Sequence, residues 1–253
     1  MTLVMTGTGD ASRLAEGAPV VEALAREPLA LPGCVFVQAL TEIESGPMCE
    51  MLPPALHPTL PPVVGFTVWD APDSVWGPFR MAQLRIECRS GLRPRGLLVS
   101  AVVDQPEAAA GLASRFGFRV TTGEVVLDRG YDATRIRVAT AGKAGLFEAV
   151  LRAPQRLGES DTQFVSSLHP ARMPRGLRLV QVDVDHAVKR AERTRFGIEH
   201  FDAAGWGEAR IRPSLALPAV VGVADVTLRP IRYVCRPDVL AFEGTEAVDA
   251  SAA

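Results

Sequence analysis

Two adjoining segments constrain this fold most. Phe79–Cys88 alternates without a break: Arg80, Ala82, Leu84, Ile86 and Cys88 share one face, and Phe79, Met81, Gln83, Arg85 and Glu87 the other. Side chains that switch faces at every residue mark a strand. The basic stretch Arg89–Arg95 (RSGLRPR) then reads as a hairpin loop, and Gly96–Val103 as a hydrophobic partner strand. An isolated hairpin is marginal in water, so this pair needs a larger sheet around it.

The rest of the chain supplies one. Cys34–Leu40, Val63–Asp70, Phe118–Leu127, Thr134–Thr140, Leu177–Arg193, Gly205–Pro213 and Ala219–Val234 all read as strands. The Pro-rich LPPALHPTLPP is a stiff extended connector, and Gly142–Gly176 is less regular. Helices are few. Gln105–Phe116 is the clearest: Ala109, Leu112, Ala113 and Phe116 form one apolar face, Pro106 fits the first turn, and Gly117 ends it. Short helices are also expected at Pro19–Arg26 and within Glu42–Leu52. No βαβ rhythm repeats. The expectation is one α+β domain over residues 13–243, a large curved antiparallel sheet or open barrel around a central cavity, with loose tails at 1–12 and 244–253.

Composition narrows the chemistry. The formal charge of −2 gives no sign of a nucleic-acid or anionic-membrane partner. No apolar run is long enough to span a bilayer, and the N-terminus lacks a signal-peptide pattern, so a cytoplasmic protein is expected. Cys34, Cys49, Cys88 and Cys235 have no metal-site spacing and read as free thiols, with no metal or other cofactor expected. The 27 basic residues include only two lysines, Lys143 and Lys189. Lys143 sits in a Gly-rich turn and Lys189 in a charged strand end, so neither has the burial that activates an amine. His57 and His169 precede prolines and read as surface loop residues; His186 reads as a solvated or hydrogen-bonded strand residue. The Gln83, Arg85, Glu87 face admits two readings, a polar rim inside a cavity or a face toward solvent.

An ordered series of features resembles the acetoacetate decarboxylase-like superfamily. It runs from Met51-Leu52-Pro53-Pro54 through Val63–Trp69, Asp73-Ser74, Trp76-Gly77 and Phe79–Cys88 to Phe116-Gly117-Phe118. Gly207–Ile211 with Pro213, Leu217–Val220 and Ala224–Leu228 close it. The resemblance implies a Schiff-base lysine in a Gly-Phe-Pro-Lys-Lys turn, but here the turn reads Gly117-Phe118-Arg119-Val120-Thr121. Val120 falls at the nucleophile, Met81 near the catalytic glutamate, and Ala39 or Leu40 near the arginine. The resemblance also implies a homo-oligomer.

With that lysine gone, the expected site is an apolar cavity lined by Leu40, Phe66, Trp76, Met81, Phe118 and Val120, with Gln83, Arg85 or Glu87 as polar helpers. Such a pocket suits a small-molecule enzyme of secondary metabolism that folds a hydrophobic polyketide- or polyene-like substrate for cyclisation. The alternatives are a carrier of a hydrophobic metabolite, or a decarboxylase or aldolase using a lysine elsewhere in the chain.

Overall fold

The computed structural model describes residues 5–248, apart from the side chains of residues 143 and 144. Fourteen strands form one sheet: β1 Leu29–Glu42, β2 Leu56–Pro58, β3 Val63–Ala71, β4 Phe79–Ser90, β5 Arg93–Val103, β6 Val120–Arg129, β7 Ala133–Thr140, β8 Lys143–Leu157, β9 Ser167–Met173, β10 Gly176–Val182, β11 Val184–Phe201, β12 Ala219–Leu228, β13 Tyr233–Cys235 and β14 Thr245–Ala247. Three helices accompany them: α1 Ser45–Met51, α2 Pro106–Phe116 and α3 Ala241–Gly244.

The sheet returns on itself. Its order runs β5-β6-β7-β8-β11-β12-β1-β3-β4, and β4 pairs again with β5. Nine strands therefore make a ring. All its pairings are antiparallel except β5 with β6; β9 also joins β5 in parallel and begins a flap with β10, β13 and β14. Apolar side chains from all nine ring strands meet in one cluster, which places that cluster inside the ring. Phe66 of β3 stacks there on Phe147 of β8, with ring centroids 4.4 Å apart. A second cluster covers the opposite face of β1, β3, β4 and β5, beneath α2 and the flap.

The α2 region follows from its residues. Gln105 caps the helix through its side chain, Pro106 occupies the first turn, and Gly117 leaves it with φ 69°. A Cβ at Gly117 would meet Ala171, Val180 and His169, so a side chain there would both strain the backbone and crowd the flap.

Several local expectations are corrected. Pro19–Arg26 forms no helix; a short 3-10 turn stands earlier, at Ala11–Ala15, with Asp10 as its cap. Gly205–Pro213 forms turns and irregular chain rather than a strand. The irregular reading of Gly142–Gly176 hides two strands, β8 and β9. A bulge opposite Arg193/Arg195, with Ala153 at φ 54°, breaks the alternation of β8 that would have revealed it. At the ends, Gly7, Thr8 and Gly9 donate backbone hydrogen bonds to Leu56, Cys49 and Leu52, and β14 pairs with β13. Both expected tails thus contribute ordered residues; 1–4 and 249–253 lie outside the described residues. Among the described residues no helix is long and apolar enough to cross a membrane, and no cluster of three His, Cys, Asp or Glu stands at metal-binding distance.

Candidate active site

Cross-strand register assembles a site on the outer face of the ring. Gln38 of β1 pairs with Thr67 of β3, Thr67 with Gln83 of β4, Gln83 with Ala101 of β5, and Ala101 with Val120 of β6. Opposed residues on neighbouring strands share a face, so these five make one rung across the sheet. The next rung carries Phe36, Trp69 and Met81, and the rung on the other side carries Leu40, Gly65 and Arg85. The loop after β8, the start of β9 and the start of β11 cover this face. Together they leave a cleft of about 20 Å³ lined by Phe36, Gln38, Thr67, Trp69, Gln83 and Arg85 from the floor, and by Phe164, Val165, Ser167, Val184 and His186 from above. That volume accommodates roughly one water molecule.

The walls are aromatic. Phe164 lies flat on His186, with centroids 3.7 Å apart and planes 3° apart, and Phe36 meets Phe164 edge-on at 5.1 Å. Trp69 stands edge-on to His186 at 6.4 Å. The polar groups between these walls are conspicuously unpaired. Thr67 Oγ1, Trp69 Nε1, Gln83 Nε2, Arg85 Nε and His186 Nδ1 are all shielded from solvent, and none has a hydrogen-bond partner within the protein. Native proteins seldom leave buried polar atoms unpaired, because each costs about 1–3 kcal/mol. Five of them surround one cleft.

Arg85 organises the floor. Its chain crosses Gly96, where a Cβ would come within 3.1 Å of Arg85 Cδ and Nε. Its Nη1 then donates to the Val165 carbonyl at 3.1 Å, and Nη2 pairs with Glu87 Oε1 at 3.3 Å. The Glu87 carboxylate lies over Gly65, which has no side chain to obstruct it. Burial raises the pKa of Glu87, against the pull of Arg85. His186 is held down to about 4 by burial first and by the Arg85 charge second, so it is neutral at neutral pH.

Beside the cleft lies a second polar pair. His169 is fully buried, its Nδ1 2.8 Å from the Phe116 carbonyl and its Nε2 2.7 Å from Ser167 Oγ. Burial, opposed by the Phe116 carbonyl, takes its pKa to about 3. The expectation of a surface histidine is corrected. The proline at 170 sits within β9 rather than ending it, and β9 runs between β5 and β10. His57 is likewise a buried residue of β2, its Nδ1 3.1 Å from the Met5 carbonyl.

The expected apolar lining separates into different places. Gln83 and Arg85 line the cleft, and Glu87 supports it through Arg85. Met81 and Leu40 stand on the flanking rungs. Val120 shares the Gln83 rung but lies two strands away, about 10 Å by ordinary strand spacing. Phe118 is buried beneath the His169 ring, with centroids 4.1 Å apart. Trp76 packs against α2 at Gly111 and against Phe79, away from the cleft. Phe66 does not join this face at all: it points into the ring, as it must when Gly65 and Thr67 point out. The six residues therefore do not line one cavity.

Sequence reasoning passed over Phe36, Gln38, Thr67, Trp69, Phe164, Ser167, His169 and His186 as site residues. Alternation would have grouped Phe36 with Gln38 and Thr67 with Trp69. No local pattern announces that Phe164 and Ser167 fold onto them. Among the alternative amines, Lys189 is exposed and pairs with Asp225 at 2.6 Å. The Lys143 side chain lies outside the described residues.

No family model and no curated protein matches this sequence. Solved structures do. An acetoacetate decarboxylase from Legionella pneumophila superposes with a TM-score of 0.69 at 19% identity, covering 81% of this chain and 86% of its own. The enduracididine biosynthesis enzyme MppR, complexed with pyruvate, gives 0.67 at 16% identity, with 85% and 97% covered. An acetoacetate decarboxylase-like enzyme from Sphingomonas wittichii RW1 gives 0.63 at 14%, with 82% and 93% covered. Likeness at such identities speaks for the fold, and it agrees with the ordered motifs from Met51 to Leu228. This chain therefore has the fold seen in acetoacetate decarboxylase and the acetoacetate decarboxylase-like enzymes.

Proposed function

We propose that this protein is a small-molecule enzyme that works without a Schiff base, holding a short polyketide-like substrate by its carbonyl oxygens and promoting an enolisation that leads to cyclisation. The observation that carries this reading is the set of unpartnered polar atoms in the cleft. Arg85 Nε, Gln83 Nε2, Trp69 Nε1 and the Thr67 hydroxyl can all donate. Fixed donors aimed at an oxygen that gains charge are among the strongest means of stabilising an enolate, and the neutral His186 imidazole beside them takes the proton that leaves carbon. The cleft holds about one water as it stands, so the substrate enters by displacing Phe164 from His186, and the aromatic rings of the walls then suit the flat conjugated enol that results.

This polar floor favours a polyketide over a polyene, which would leave all five groups unsatisfied. The fold neighbours lend support. MppR is an enduracididine biosynthesis enzyme, also solved with the condensation product of pyruvate and imidazole 4-carboxaldehyde, so natural-product chemistry occurs on this fold. Val120 has no amine, and Lys189 is exposed and paired with Asp225 away from the cleft, which supports an amine-independent route.

Acetylacetone tests the reading. Wild-type protein in heavy water should speed exchange of its central methylene protons, and Gln83→Leu should lower that acceleration by about a hundredfold. Borohydride should trap nothing. Binding without faster exchange would make the protein a carrier; neither binding nor exchange would reject the site, and a trapped amine would restore the lysine reading.

A further inference from the structure

The Ser167 and His169 pair has a geometry that the enolisation chemistry does not use. The Phe116 carbonyl can only accept a hydrogen bond, so His169 Nδ1 carries the proton. That choice leaves a lone pair on Nε2, and Ser167 Oγ, 2.7 Å away, must donate to it. The Oγ lone pairs are then free, and Ser167 lines the cleft. A hydroxyl hydrogen-bonded to an imidazole, itself oriented by a third group, is the arrangement that activates a serine. Gly96 links the two halves: it pairs with Ser167 across β5 and β9, and Arg85 folds over it. The free Nε–H of Arg85 and the free amide of Gln83 line the same cleft as the serine oxygen.

We propose that Ser167 is an acyl-accepting nucleophile, with His169 as its base and Arg85 and Gln83 as oxyanion donors, and that its substrates are small activated acyl compounds such as aryl esters or thioesters. The Oγ–acyl bond forms as the carbonyl π pair moves onto oxygen, and the Oγ proton passes to His169 Nε2. Collapse of the tetrahedral species breaks the bond to the leaving phenolate or thiolate, which then takes the proton from His169. Water repeats the sequence on the acyl-serine, giving the acid and restoring the Ser167 proton through His169. No other co-reactant is needed.

The choice of acyl donor comes from the pair's surroundings. No carboxylate supports His169; its ring partners are the Phe116 carbonyl and Phe118, and the nearby charge is Arg85. The imidazolium is therefore poorly stabilised, and only leaving groups that depart without prior protonation suit the site. The same weakness slows the water step, so the acyl-serine accumulates. The cleft holds about one water as it stands, so an acyl group enters only as the covering Phe164–Val165 segment yields, and a short chain asks least of it. This inference shares the cleft and the Arg85 and Gln83 donors of the enolisation reading, but it depends in addition on Ser167 and His169, which that reading does not use.

Wild-type protein should be mixed with p-nitrophenyl acetate, the nitrophenolate burst followed by absorbance, and the acetylated residue located by peptide mass spectrometry. The expected result is a burst approaching one equivalent and a single acetyl group on Ser167. Ser167→Ala, checked by its melting temperature, should show neither. Gln83→Leu should slow the burst by about tenfold or more while leaving its final amplitude intact. No burst, acetyl on another residue, or an adduct that persists in Ser167→Ala would overturn the proposal. The mapping is done on wild type, so the result stands even where the variant fails to fold. A missing burst alongside normal acetylacetone exchange would reject the serine role alone; the reverse would reject the enolisation reading alone.

Discussion

The two faces of β3 and β4 carry opposite solutions to burial. On the inner face Phe66, Val68, Ala82, Leu84 and Ile86 pack against side chains from across the ring, and every atom is apolar. On the outer face, one residue along in each case, stand Thr67, Trp69, Gln83 and Arg85, equally hidden from water but with polar atoms left unpaired. The inner face is optimised for stability, and the outer face gives up stability around a cleft. A strand can do both because alternate residues never share an environment.

Substitutions on the two faces should therefore separate stability from binding. The largest effect is expected inside the ring. Phe147→Ala removes the partner stacked on Phe66 and should cost about 3–5 kcal/mol by denaturant unfolding, without altering which ligands the remaining folded protein binds. A loss below about 1 kcal/mol would mean that the ring interior is not the main core.

Acid should act through the outer face. His169 and His186 fall from 6.5 to about 3 and about 4 in the folded protein. Their contribution is complete above 6.5, where both states are neutral. Below it the unfolded chain takes up protons that the folded one refuses, so stability drops until the folded values are reached. For His169 alone the drop between pH 6.5 and pH 4.5 is at most about 2–3 kcal/mol. Glu87, whose pKa burial raises, works in the opposite direction. The comparison is therefore with His169→Gln, whose unfolding free energy should vary less over that range. Parallel pH curves for the two proteins would show that the buried imidazole does not contribute.

Val120→Lys should cost about 1–2 kcal/mol, since a partly buried ammonium is placed on a rung with only Gln38, Thr67, Gln83 and Ala101. It should release no carbon dioxide from acetoacetate. Decarboxylation by this variant would mean that the remaining site still supplies the family's partner charges. Met81→Leu, at nearly the same volume, should stay within about 1.5 kcal/mol of wild type.

The smallest change in stability is the most informative. Thr67→Val replaces a buried hydroxyl that has no partner, so the melting temperature should move little or rise. Acetylacetone binding should nonetheless weaken. A marked loss of stability would show that Thr67 Oγ1 is satisfied in solution and that the cleft is less polar than it looks.

The strands β3, β4, β5 and β12 and the helix α2 were legible because their signals are local. Phe79–Cys88 alternates without interruption, and Pro106 and Gly117 bracket a helix of regular apolar spacing. Gln83 and Arg85 were legible for the same reason, as polar residues sharing one face of an alternating strand. β8 was missed because its bulge at Ala153 disrupts the period. His169 was misread because a following proline usually ends an element, whereas here Pro170 sits inside a strand between two neighbours. Phe66 was grouped with Met81 and Val120 as cavity lining, but alternation along β3 puts it on the face opposite Thr67, inside the ring.

The order of residues by itself determined which side chains share a face and that no lysine stands in the turn after α2. Those follow from backbone geometry and from composition, and need no partner elements. Only the tertiary structure decided that the ring closes through β4 and β5, leaving its apolar interior packed and moving the polar cleft to the outside. It alone set Phe164 on His186 and the Phe116 carbonyl against His169, because both contacts join segments far apart in the chain. The chemistry of the site lies in those encounters: the same serine or histidine is inert or reactive according to what is packed against it.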